Sequence, residues 1–142
     1  MGFAEAVQTI YTRRYAKFAG RAARSEMWWF YLFHLIVLLA LAALVRALGG
    51  EGLTSDPARV PVSAMAGMVV MALFILASAL PTISVTVRRL HDGNLSGWWY
   101  LAAIAASFLP VLGWLATIAL LVVCAMPGTE GPNRFGEDPR RI

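Results

Sequence analysis

The stretch from Trp98 to Met126 runs for 29 residues without one charged side chain. As a single straight helix it would measure roughly 43 Å, at about 1.5 Å per residue. A hydrocarbon core of about 30 Å takes such a helix only at a tilt near 45°, beyond the usual range of about 0–40°. Pro110 and Gly113 stand near the middle, and both residue types punctuate helices. The spacing therefore predicts two shorter helices over 98–126, joined by a tight turn at 110–113. Each is short for a full crossing, so the hairpin must be thin or partly buried among other helices.

Two further apolar runs precede it. Met27 to Leu48 is 22 residues long with Arg46 as its only charge, roughly 33 Å as a helix. Ser25 reads as its N-cap, and Glu26 suits the positive end of the helix dipole. Trp28, Trp29 and Tyr31 sit where an aromatic belt belongs. Val62 to Val87 is the second run, and Pro81 either ends it or kinks it. Val62–Leu80 alone is 19 residues, already enough to cross. Ser63 and Gly67 form a pair of small residues that would let another helix approach closely. Residues 49–61 between the runs read as a loop, with Gly49, Gly50, Gly52, Pro57 and Pro61 breaking helix and Glu51, Asp56 and Arg59 nearly cancelling.

Composition supports a membrane chain. Only 14% of residues are charged and 59% are hydrophobic, against about 25% charged in a soluble domain. Almost all charges gather in four places: Arg13–Glu26, Arg46–Arg59, Arg88–Asp92 and Glu130–Arg141. The net charge of +4 is carried mostly by residues flanking apolar spans, where Lys and Arg meet anionic lipid, so no nucleic-acid partner is expected. Residues 1–26 have no continuous apolar core followed by a cleavage site, so no signal peptide is expected. Phe3, Val7, Ile10, Tyr11, Tyr15 and Phe18 recur at helical spacing with Arg13, Arg14 and Lys17 largely off the stripe. That is an interfacial amphipathic helix or, as the alternative, a helix packed on its own protein.

Charge also predicts sidedness. With four spans, Arg13, Arg14, Lys17, Arg21, Arg24, Arg88, Arg89, Arg134, Arg140 and Arg141 share one side, ten against Arg46 and Arg59. With three spans the split is seven to five. The positive-inside rule prefers four, with both termini cytoplasmic.

That topology brings three polar blocks to one face. The first is Gly20-Arg21-Ala22-Ala23-Arg24-Ser25-Glu26, leading into Trp28-Trp29. The second is Arg88-Arg89-Leu90-His91-Asp92-Gly93-Asn94, followed by Ser96-Gly97-Trp98-Trp99. The third runs from Pro127-Gly128-Thr129 through Asn133-Arg134-Phe135-Gly136 to Asp138-Pro139. The candidate cluster is Arg21, Arg24, Glu26, Arg88, Arg89, His91, Asp92, Asn133, Arg134 and Asp138. Arg88 and Arg89 could hold a phosphate as bidentate donors, and His91 with Asp92 could act as acid and base. The bland alternative anchors the arginines to headgroups and pairs Asp92 with one of them. Glu26 would bridge to Arg24, Arg21 or Arg88. Asn133, Arg134 and Asp138 would fold back as turns under the bundle. His34 lies inside the first span, where a helix-to-helix hydrogen bond is the expected role ahead of proton relay. His34 and His91 lack zinc-ligand spacing, and Cys124 has no second cysteine. No metal, cofactor or catalytic motif is expected.

These three blocks, in this order, resemble the bacterial inner-membrane family known as domain of unknown function 805. The similarity covers Phe18 to Pro139. Met27 stands where an aromatic is more usual, and the 49–61 loop and the alanines around Ala102–Ala106 are longer than typical. The resemblance implies an integral inner-membrane protein and supplies no mechanism.

The expected fold is all-α: a cytoplasmic interfacial segment (1–26), span 1 (27–48), a periplasmic loop (49–61), span 2 (62–87), a cytoplasmic loop (88–97), the hairpin (98–126) and a cytoplasmic tail (127–142). A non-enzymatic protein that binds anionic headgroups or a membrane-protein partner, with a possible homo-oligomer, is the leading functional expectation. An oligomeric transporter or channel subunit and an enzyme acting on a lipid phosphate are the alternatives.

Overall fold

The computed structural model of the protein describes residues 1–50 and 60–140. Five helices run through them: α1 (Phe3–Thr12), α2 (Arg24–Val45), α3 (Val62–Asp92), α4 (Trp98–Ala106) and α5 (Pro110–Ala125). A π-helical turn, Arg46–Gly50, prolongs α2. Among the described residues there is no strand, only an isolated bridge between Asn133 and Gly136. The expected 49–61 loop falls mostly outside the described residues, as does Arg141.

The chain forms two compact units. Residues 1–30 and the chain from Pro81 onward make one, and Tyr31–Leu80 makes the other. In the second unit, α2 approaches the start of α3 closely. A Cβ on the buried Gly67 would lie 3.1 Å from Cγ2 of Val45, and the Ser63 hydroxyl donates to the Leu48 carbonyl at 3.1 Å. The small-residue pair therefore works inside one chain. Phe74 packs against Phe33 and His34, with ring centroids 6.4 and 4.9 Å away. The outward residues are large and apolar: Leu39 is 61% exposed and Leu76 72%. A surface like this is stable against hydrocarbon or another apolar helix, not against water. Both long helices are apolar enough to cross a membrane.

In the first unit, α1 buries Ala6 and Ile10. Phe3 meets Trp29 edge-on at 5.9 Å, and Tyr11 packs on Phe30 at 5.5 Å. The amphipathic stripe thus docks on the start of α2 while Phe3, Tyr15 and Phe18 stay exposed. The helix stops at Thr12, short of Phe18. The Ser84 hydroxyl of α3 lies 3.1 and 3.4 Å from the carbonyls of Arg14 and Tyr15, so tertiary contact takes over where the helix ladder ends.

Three local expectations change. Ser25 is not the N-cap, because α2 already begins at Arg24 and the Met27 N–H bonds Ala23 O at 3.3 Å. The Arg88–Asp92 block is the last turn of α3 rather than a loop, since that helix runs through Pro81 for 31 residues. The break in the third apolar run falls at Ser107–Leu109 instead of 110–113. Pro110 takes the first position of α5, where its missing N–H removes no helical bond. Gly113 is buried inside α5, and a Cβ there would sit 2.9 Å from Ser107 Cα. It lets the end of α4 close onto α5.

Candidate functional site

The three polar blocks meet in the first unit. Gly20 starts the junction with a positive φ of 89°, which glycine adopts at little cost. The following chain then lies along α3, with the Ala22 N–H bonded to Arg88 O at 3.0 Å.

Asp92 is the hub. Its Oδ1 accepts from Arg21 Nε at 2.9 Å and lies 2.8 Å from Arg21 Nη2. Its Oδ2 accepts from Arg89 Nη1. Its backbone carbonyl accepts from the Thr129 N–H at 2.8 Å and the Thr129 hydroxyl at 3.0 Å. Arg21 also donates to the carbonyls of Gly131 and Thr129, each at 2.5 Å. Arg89 donates to Cys124 O at 2.8 Å and to Met126 O. Side-chain exposure is 0% for Arg21, 2% for Arg89 and 4% for Asp92. Two guanidinium groups and one carboxylate thus fasten the end of α3 to the end of α5 and to the tail.

A second ion group lies beside it. Glu26 accepts from Arg88 Nη1 at 2.8 Å through Oε1 and from Arg14 Nη1 at 2.7 Å through Oε2. Arg88 and Glu26 are buried, whereas the Arg14 side chain is 30% exposed. Nε and Nη2 of Arg88 make no hydrogen bond among the described residues.

The tail is ordered by its own turn residues. Asn133 and Gly136 exchange both backbone hydrogen bonds at 3.0 Å, and Asn133 Oδ1 accepts from the Phe135 N–H at 2.9 Å. Asn133 Nδ2 donates to His91 O at 2.9 Å, tying the turn to α3. Asp138 accepts from the Gly131 N–H and from Arg140 Nε and Nη2. The hydrogen bonds from Arg140 hold the Asp138 carboxyl well below the usual carboxylate range.

Of the ten candidate residues, Arg21, Arg89 and Asp92 form one ion cluster and Glu26 and Arg88 the other. Asn133 and Asp138 shape the tail. Arg134 stays exposed, donating to Asn94 O at 3.0 Å with its guanidinium 4.7 Å from the Phe135 ring centroid. Arg24 is exposed, 3.5 Å from Ala125 O. His91 does not pair with Asp92. Its Nδ1 lies 3.1 Å from Gly20 O, and its ring stacks on Phe135 at 3.9 Å and 2°. Sequence reading passed over Arg14, Gly128, Thr129, Phe135 and Arg140 as cluster members. Gly128 was legible only as a turn residue, yet a Cβ on it would overlap the Asp92 carboxylate. Among the described residues no group of His, Cys, Asp and Glu could hold a metal.

A sequence model of the family described as "Protein of unknown function (DUF805)" matches residues 15–137. Two relatives in Escherichia coli K12 are similar over nearly the whole chain. "Inner membrane protein YhaI" is 37% identical over 128 residues, covering 90% of each chain. "Inner membrane protein YhaH" is 35% identical over 133 residues, covering 90% of this chain and 91% of its own. "Uncharacterized protein YiiR" is 30% identical over 80 residues, 44% of this chain and 55% of its own. No solved structure matches.

Proposed function

Because the chain belongs to the DUF805 family, whose similar members are inner-membrane proteins, we propose that it is a non-enzymatic inner-membrane protein that gathers anionic lipid at its cytoplasmic face. The observation that carries this reading is the division of its cations. Arg21 and Arg89 are buried and committed to Asp92 and to carbonyls, and Arg88 is buried against Glu26. Arg13, Lys17 and Arg24 are exposed and stand among the exposed aromatics Tyr15, Phe18, Trp28 and Trp29. Exposed cations interleaved with aromatics suit the headgroup layer, where each Lys or Arg contributes about 1 kcal/mol toward an anionic surface. The headgroup contact thereby moves from Arg88 and Arg89 to this rim.

The same reading takes α4 and α5 as a re-entrant hairpin with both ends cytoplasmic. α5 has 16 residues and α4 has 9, roughly 24 and 14 Å, against a core of about 30 Å. Phe108, at the turn, is 82% exposed, and Trp114 is 74% exposed, so the tip suits hydrocarbon.

The test is native mass spectrometry of the detergent-purified protein in equimolar phosphatidylglycerol and phosphatidylcholine. Bound phosphatidylglycerol should dominate, fall about tenfold or more in Arg13→Gln/Lys17→Gln/Arg24→Gln, and weaken as salt rises from roughly 0.05 to 0.5 M. Equal retention of both lipids by the native protein and the triple variant would remove the proposal.

A further inference from the structure

A groove of about 420 Å³ lies along the end of α3 and the start of α4, and His91 lines it. The orientation of that histidine is set from two sides. Nδ1 lies 3.1 Å from the Gly20 carbonyl. A carbonyl oxygen can only accept, so Nδ1 carries the proton. In the neutral ring Nε2 then presents a lone pair. Phe135 covers one face of the ring at 3.9 Å, parallel within 2°, so the imidazole is held in place.

Nε2 lies close to Gly97, and both residues line the groove. A Cβ at Gly97 would stand 3.5 Å from Nε2 and 2.7 Å from Cγ1 of Val87. Glycine therefore keeps the space before the lone pair open. Nε2 makes no hydrogen bond among the described residues. Ser96 and Tyr100 add hydroxyls to the lining, and the remaining wall is apolar with Ile83, Val87, Leu101 and Phe18. Leu101 is 50% exposed, Phe18 40% and the adjoining Trp98 75%. The groove thus opens on a surface that lipid, not water, would cover.

The chemistry of the occupant follows. A fixed acceptor selects a hydrogen-bond donor. It disfavours a phosphate or carboxylate; Arg21 and Arg89 are paired with Asp92 and Arg88 with Glu26, while the exposed Arg134 donates to Asn94 O and lies over Phe135. We propose that this groove binds a membrane glycerolipid by its donor headgroup, with His91 Nε2 accepting the hydrogen bond and an acyl chain lying over Val87 and Leu101. The donor is a hydroxyl, as in a diacylglycerol, or an ammonium, as in phosphatidylethanolamine. A volume of about 420 Å³ falls within the range of about 300–1,000 Å³ usual for small-molecule sites. The site shares Phe18 with the cationic rim but uses none of its cations.

The chain has two histidines, so ¹⁵N-imidazole NMR of histidine-labelled protein in nanodiscs resolves both, with His34→Gln assigning them. In phosphatidylcholine, whose headgroup has no donor, His91 should show a protonated Nδ1 and an unprotonated Nε2. Adding dioleoylglycerol to one sample and phosphatidylethanolamine to another identifies the donor. The Nε2 signal should shift with at least one and stay put with more phosphatidylcholine. Gly97→Ala should abolish the shift. Leu101→Trp fills the groove from its exposed side and serves if Gly97→Ala does not fold. A protonated Nε2 in phosphatidylcholine, an unmoved Nε2 signal with both donor lipids, or an equal shift in Leu101→Trp would each overturn the assignment.

Discussion

Gly128→Ala adds one carbon atom where the structure has no room for it. Gly128 does not have a positive φ, so alanine meets no backbone penalty there and the whole effect is steric. The new Cβ would overlap the carboxylate of Asp92. That carboxylate cannot turn aside freely, because Arg21 holds one oxygen and Arg89 the other. Two escapes remain. If the carboxylate swings away, two buried guanidinium groups lose their acid, and breaking a buried ion pair costs about 3–5 kcal/mol. If the tail lifts instead, Thr129 loses its two bonds to Asp92 O, and Arg21 loses the carbonyls of Thr129 and Gly131. At about 1 kcal/mol for each neutral bond and about 1.5–3 for each charged one, that route costs at least about 5 kcal/mol. The cheaper route decides, less about 0.4–1 kcal/mol that alanine returns by stiffening the unfolded chain. A net loss of about 2–4 kcal/mol remains, and each 1.4 kcal/mol is about tenfold. Hydrogen exchange at the Thr129 and Asn133 amides should therefore speed up by on the order of 30-fold or more. Gly93→Ala is the matched control, since its Cβ would meet only Leu90 O at an ordinary 3.5 Å. Exchange in Gly128→Ala within about threefold of the control would refute the clasp, because the Asp92 carboxylate would then have had room to spare.

Glu26→Gln should destabilise the protein by about 3–5 kcal/mol, because Arg88 is left charged and buried, whereas Arg14→Gln removes a 30% exposed partner and should cost about 1 kcal/mol or less. Thermal unfolding in detergent separates the two. The hydrogen bonds from Arg140 depress the Asp138 carboxyl, so its contribution to tail order is complete above the ordinary value of about 3.9 and is lost as pH falls through the folded value. Exchange at the Gly131 amide should rise in acid, and Arg140→Gln should move that rise to higher pH. In a Cys124→Ala background, Phe108→Cys should resist a membrane-impermeant maleimide from both faces, since a re-entrant tip ends in hydrocarbon. Labelling from the periplasm would instead mean that the hairpin crosses.

Much of the fold was legible because apolar runs and their breakers act locally. The helices over residues 27–48 and 62–87, and a broken third run, follow from counting uncharged residues. The convergence of the three polar blocks was legible from the broken third run together with the charge asymmetry. The pairing inside the cluster was not. Glu26 had Arg24, Arg21 and Arg88 within reach by sequence, and it took Arg88 together with the unexpected Arg14. Arg24, next but one to Glu26 in the chain, went to the surface. The choice depends on which face of α2 meets α3, and adjacent charges on a helix do not face one another. The break near Pro110 moved by three residues for a related reason: proline is at ease at the first position of a helix, so it marks where α5 begins and not where the turn lies.

By itself the sequence determined that this chain is helical, belongs in a membrane and carries its polar chemistry in three blocks. Those properties rest on hydropathy and length, which a linear chain already possesses. Only the tertiary structure decided that Arg21, Arg88 and Arg89 are interior fasteners while Arg13, Lys17 and Arg24 face outward. It also decided that His91 sets Nδ1 against the Gly20 carbonyl and its ring on Phe135 instead of pairing with Asp92. Burial and hydrogen-bond direction belong to the packed arrangement, and residue type alone cannot specify them.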